Sequence, residues 1–118
     1  MSQIQIKRIY EEVSLEDGYR ILVDRLWPRG VSKERAKLDE WNKTISPTPE
    51  LRKWFSHETE RFKEFSRLYR EELNTKLEDL NRLKMLSKKQ KITLLFGTKD
   101  LKINHAIVLQ QVLNNLKL

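Results

Sequence analysis

Two short apolar runs, Ile21-Leu22-Val23 and Ile92-Thr93-Leu94-Leu95-Phe96, are separated by a long charged stretch whose apolar residues recur every three or four positions. Runs of that length, rich in branched residues, read as covered strands. Antiparallel neighbours need only a tight turn between them, whereas a parallel return needs a crossover. The expected fold is therefore α/β, a small three-layer arrangement with a mostly parallel sheet of three to four strands flanked by helices. A chain of 118 residues fits a single domain, 1–118, able to bury roughly two-thirds of its unfolded surface.

Residues 3–9 alternate polar and apolar and form the first expected strand, residues 19–26 the second after the Asp17-Gly18 turn, and residues 91–96 the third. Leu38, Trp41 and Ile45 anchor a possible fourth near residues 39–45. Residues 32–38 read as a short charged helix or loop. Thr48-Pro49 starts a helix over 49–55, because threonine caps and proline fits the first helical position. Ser56 then restarts the chain into a longer helix with a stripe of Phe62, Phe65, Tyr69, Leu73, Leu77 and Leu80. A last helix, capped by Asp100 or Asn104, runs to about residue 115. Trp54-Phe55 follows Leu51 at helical spacing and reads as buried.

The second strand ends abruptly in the octet Val23-Asp24-Arg25-Leu26-Trp27-Pro28-Arg29-Gly30, and the third in Gly97-Thr98-Lys99-Asp100. In open α/β sheets ligands bind beyond the carboxyl ends of the strands, and parallel pairing brings these two endings to one edge. Arg25, Arg29 and Lys99 are the expected clamp for a small anion, phosphorylated ones included, with Thr98 beside them and Trp27 as a wall. Asp24 is the orienting acid, and it needs a basic side chain or a backbone amide as partner. Were there turnover, hydrolysis or transfer assisted by His105 or Asp100 would be its form, with Asp24, His105 and Asp100 as the catalytic candidates. His57 lies between helical segments and reads as a loop or capping residue.

Composition removes other chemistries. Cysteine is absent, so there is no thiolate, disulfide or cysteine metal site. The three glycines, Gly18, Gly30 and Gly97, are scattered, which leaves no glycine-rich phosphate loop, and no organic cofactor is expected. Histidine and carboxylate spacings give no metal motif. With no hydrophobic leader or membrane span, a cytoplasmic protein without a membrane partner is expected. The net charge of +7 is uneven: residues 1–79 hold sixteen Lys/Arg against sixteen Asp/Glu, and residues 80–118 hold eight against Asp100 alone. That basic third supplies the alternative reading, a non-enzymatic nucleic-acid or partner-binding module on a ridge of Lys84, Lys88 and Lys91 with Arg82 and Lys89.

The octet with Val31-Ser32-Lys33-Glu34, then Leu51-Arg52-Lys53-Trp54-Phe55, then Thr93-Leu94-Leu95 with Lys99-Asp100 and Asn104, resembles the YeaO-like branch of the domain-of-unknown-function family 488, from Ile6 to Leu113. The resemblance implies a cytoplasmic prokaryotic α/β domain with the octet and the Lys99-Asp100 turn as hallmark positions. The wider family often carries a Cys-His-Arg triplet after its last strand. Asn104-His105-Ala106 stands in that region here, so the thiol and guanidinium of that triplet are not carried over.

Overall fold

A computed structural model describes residues 3–117. Strands β1 (Ile4–Arg8), β2 (Tyr19–Leu22), β3 (Glu40–Trp41) and β4 (Ile92–Phe96) form one sheet in the order β1-β4-β2-β3, every pairing parallel. Helices α1 (Lys33–Ala36), α2 (Pro49–Phe55), α3 (Phe62–Leu73), α4 (Leu77–Lys89) and α5 (His105–Asn115) make the connections and cover the faces. The expected α/β architecture is present, and the fourth strand is the two-residue β3.

Side chains alternate across the sheet, and the two faces are unequal. Ile21, Val23, Ile92, Leu94 and Phe96 point into a large core with Phe65, Tyr69, Leu73, Leu80, Leu83 and Leu109. Leu22 and Leu95 point the other way, onto a small cluster of Ile9, Val31 and Ala36 edged by Tyr10, Trp27 and Leu38. The third layer is thus little more than α1 and the octet.

Three expected boundaries moved. The second strand ends at Leu22 rather than residue 26. Val23 N–H still donates to Leu95 O (3.0 Å), but the next ladder donor, Gly97 N–H, goes to the Asp24 carboxylate (2.9 Å). A side chain has replaced a strand carbonyl, and the octet is free to turn away.

The single long helix is two. Ser56 and His57 adopt left-handed backbone (φ 45° and 58°), a 3-10 turn spans Thr59–Arg61, and α3 starts only at Phe62. At Asn74-Thr75-Lys76 the chain tightens: Thr75 N–H and its hydroxyl both bond Glu72 O, and Lys76 N–H bonds Leu73 O. Such local bonds compete with the helix ladder. Leu77 consequently leaves the stripe and is 48% exposed, whereas Leu80 begins a new buried face. Trp54 is likewise 40% exposed, with the Arg61 guanidinium over its ring instead of core around it.

Of the two caps considered for the last helix, Asn104 is the one used. Its buried Oδ1 accepts Ile107 N–H at 3.0 Å.

Candidate functional site

Beyond the carboxyl ends of β2 and β4 lies a cavity of about 350 Å³, walled by the octet, the end of α2, Gly97-Thr98 and the first residues of α5. Its centre is Asp24. Oδ2 accepts Gly97 N–H at 2.9 Å, and Oδ1 stands 3.1 Å from His105 Nε2. That nitrogen is also 3.0 Å from Val23 O. Both neighbours are acceptors, so Nε2 carries the ring proton. One N–H cannot point at both, and it is aimed at the carbonyl. Among the described residues, Asp24 Oδ1 alone is a buried side-chain oxygen without a hydrogen bond.

Proximity of Asp24 and His105 follows from the fold: β2 and β4 end together, and the Asn104 cap sets His105 at the first position of α5. Tyr69 supports the ring from the core side, edge-on at 6.2 Å. Burial pushes the Tyr69 hydroxyl well above its usual range, and it serves as a donor to Ile45 O at 2.6 Å. The imidazole is thus oriented by a carboxylate, a carbonyl and an aromatic edge, with Nδ1 left for other company.

Arg25 also lines the cavity. Two of its donors already bind main chain, Nε to Pro47 O (3.0 Å) and Nη2 to Ser46 O (3.2 Å). Trp27 is a wall, as expected; its Nε1–H donates to Val31 O at 2.6 Å and its ring meets Trp41 edge-on at 5.2 Å. Thr98 lines the cavity and is tied to the scaffold through its carbonyl, Thr98 O accepting Arg8 Nε–H at 2.9 Å.

The other expected members lie elsewhere. Arg29 is exposed and outside the lining, and its carbonyl accepts Tyr10 O–H at 2.8 Å. Lys99 and Asp100 face an adjoining hollow that shares His57, Gly97, Thr98 and Ile103 with the first. Asp100 Oδ1 accepts Ile103 N–H and Lys102 N–H, both at 2.9 Å. Those amides, Ile103 foremost, hold its carboxyl below the usual aspartate range. Asp100 therefore shapes the turn before α5 and is not turned toward Asp24.

Two residues were missed. Arg52, exposed on α2, and His57, read as a loop residue, both line the cavity. Arg52 lies in the Leu51–Phe55 stretch, whose helical spacing does not say which way its charged face points. His57 arrives through the two left-handed residues after α2, a bend that hydrophobic periodicity does not register.

Of the basic ridge, Lys88 and Lys89 are exposed at the end of α4 and Lys91 is partly exposed, whereas Lys84 and Arg82 are engaged. Lys84 is only 7% exposed and its Nζ donates to Asn114 O. Arg82 pairs with Glu40 (2.6 Å) and Asp79 (2.9 Å). Among the described residues no cluster of three or more His, Cys, Asp or Glu side chains is placed to hold a metal, and no helix is long and apolar enough to cross a membrane.

A family model described as the inactive DUF488-N3 subclade matches residues 3–117. The chain belongs to this DUF488 family. The Escherichia coli K12 protein YeaO is 47% identical over 113 residues, covering 96% of this DUF488 chain and 98% of YeaO. Rv3073c of Mycobacterium tuberculosis H37Rv and Mb3100c of Mycobacterium bovis are each 38% identical over 113 residues, covering 96% of this chain and 95% of the relative. All three relatives carry the description uncharacterized. No solved structure gives a significant match. The octet and the Asn104-His105-Ala106 segment thus belong to a DUF488 domain whose subclade is described as inactive.

Proposed function

We propose that this DUF488 protein binds a small anionic ligand in the cavity at the carboxyl ends of β2 and β4, and does so without turning it over. The observation that carries the reading is the charge balance of the walls. Two arginines, Arg25 and Arg52, share the lining with one acid, Asp24, whose Oδ2 already accepts Gly97 N–H, and His57 and His105 add ring nitrogens to the same walls. The amino end of the 11-residue helix α5 opens on the same space, and the amides of a helix start favour negative charge.

Binding rather than chemistry is supported by two observations. The subclade's description is inactive, and the Asp100 carboxylate is occupied by two amides. Asp24 and His105 then act as a positioning pair, fixing Gly97 and the start of α5 around the ligand. The rival surface reading has little support, since Lys84 is buried and Arg82 is paired with two carboxylates.

The test is a titration of isotope-labelled protein with phosphate, sulfate and acetate. Binding is expected to move the amide signals of Gly97, Thr98, His105 and Ala106, and Arg52→Ala is expected to weaken the response. Absence of any movement at millimolar anion, or equal movement in the variant, overturns the reading.

A further inference from the structure

We infer that the ligand is a one-ring phosphate monoester, with its ring lying on Trp27 and its phosphate reaching the junction of the two hollows at His57. The inference rests on the anion-binding reading and adds the part of the ligand that is not charged.

The walls carry the first argument. A site built for a bare inorganic anion needs amides and cations, yet this cavity is also lined by the exposed Leu26 and the half-buried Trp27, with the buried Phe55 and Phe65 contributing little surface. A bare ion would leave that surface wet, whereas a ring covers it at about 25 cal/mol per Å² of apolar area. Trp27 is suited to receive one. Its only polar atom is committed to Val31 O, and its plane is set by Trp41, so it presents a fixed apolar surface whose ordering is already complete.

The distribution of charge carries the second. Arg52 and His57 stand at the α2 end of the cavity, and the adjoining hollow of about 450 Å³ continues past His57 to Lys99. His57 is placed there by a φ of 58°, following Ser56 at 45°, a backbone that costs free energy and clusters at functional sites. Apolar surface at one end and Arg52, His57 and Lys99 at the other match a ligand that is itself divided. The hollow proposed for the ring, about 350 Å³, lies near the bottom of the roughly 300–1,000 Å³ typical of small-molecule sites, and the phosphate extends from it toward the adjoining one.

Phenyl phosphate, inorganic phosphate and benzyl alcohol, titrated separately into the full chain and followed by amide and indole N–H signals, test the inference. Phenyl phosphate is expected to bind at least tenfold tighter than inorganic phosphate, with benzyl alcohol weakest and the Trp27 indole signal moving with the two ring compounds only. Trp27→Leu should bring the ratio of phenyl phosphate to inorganic phosphate affinity close to one. Lys99→Ala and His57→Asn, the latter able to keep the left-handed backbone, should weaken both phosphates several-fold and spare benzyl alcohol. Equal affinities for phenyl phosphate and inorganic phosphate overturn the ring while leaving the anion site intact. Phenyl phosphate binding no tighter than benzyl alcohol, no binding by any probe, or shifts confined to residues outside the two hollows overturn both.

Discussion

Strand β2 is flanked by two aspartates, and the sheet treats them in opposite ways. At its amino end Asp17 is buried and fully engaged: it accepts Ser14 N–H (3.0 Å), Lys7 Nζ (3.0 Å) and the Arg20 guanidinium, while Arg20 also donates twice to Ala36 O. Thr93 Oγ1 closes the cluster by donating to Asp17 O, and Gly18 packs against Lys91 O so closely that a Cβ would stand 2.2 Å away. At the carboxyl end Asp24 has one oxygen satisfied, the other without a hydrogen bond, and a cavity beside it. Both ends set an aspartate against the parallel sheet, Asp17 buried and Asp24 with a fifth of its side chain exposed. The amino end shows what such charge looks like when its partners are all internal, and the carboxyl end what it looks like when the surroundings are left open.

The sharpest way to break this contrast is to remove the closed acid. Asp17→Ala leaves Arg20, 3% exposed, without its ion partner, and a loss of about 3–5 kcal/mol is expected, read as a lower urea midpoint with the slope unchanged. At the open end the equivalent blow is Gly97→Ala, whose Cβ would lie 2.9 Å from Asp24 Oδ2. Displacing the carboxylate from the Gly97 amide should cost about 1.5–3 kcal/mol and abolish the anion response in the same sample.

Acid titration separates the two ends further. Burial alone would raise the Asp17 carboxyl, but the hydrogen bonds from Ser14 N–H, Lys7 and Arg20 outweigh it and hold the group below its ordinary value of 3.8. A carboxyl lowered in the folded state stabilises above the unfolded value and loses that contribution as pH falls through the folded one. Thermal midpoints should therefore drop below about pH 4, and the drop should be shallower in Asp17→Asn than in the parent chain. Smaller still, Arg52→Ala should leave stability within about 0.5 kcal/mol while weakening anion binding several-fold in the same titration. Arg29→Ala, on an exposed side chain outside the cavity, should change neither.

Where the sequence was legible, the reason is periodicity. Ile21-Leu22 and Ile92 to Phe96 lie in covered strands, as their branched apolar runs indicate, and their shared direction brings the octet and Gly97 to Asp100 to one edge of the sheet. The helix face of Phe65, Tyr69 and Leu73 followed from spacing alone. What escaped was decided by single contacts. The competition between Thr75 and the helix ladder is a matter of one hydroxyl, and the left-handed pair Ser56-His57 contains no glycine to announce it. Orientation escaped too: Arg25, Arg29 and Lys99 are equivalent as letters, yet one is tied to carbonyls inside the cavity, one is exposed outside it, and one belongs to the hollow next door.

The strand order has a bearing on how the chain comes to be folded at all. β4 is the last strand in sequence and lies between β1 and β2, pairing with both. A growing chain that has reached residue 91 can make only the two-residue pairing of β2 with β3; β1 has no neighbour until β4 emerges. Such long-range closure is slow relative to local helix formation. The sheet is expected to assemble only near the end of synthesis, with α2 to α4 already formed, and any truncation before residue 96 removes its keystone rather than its edge.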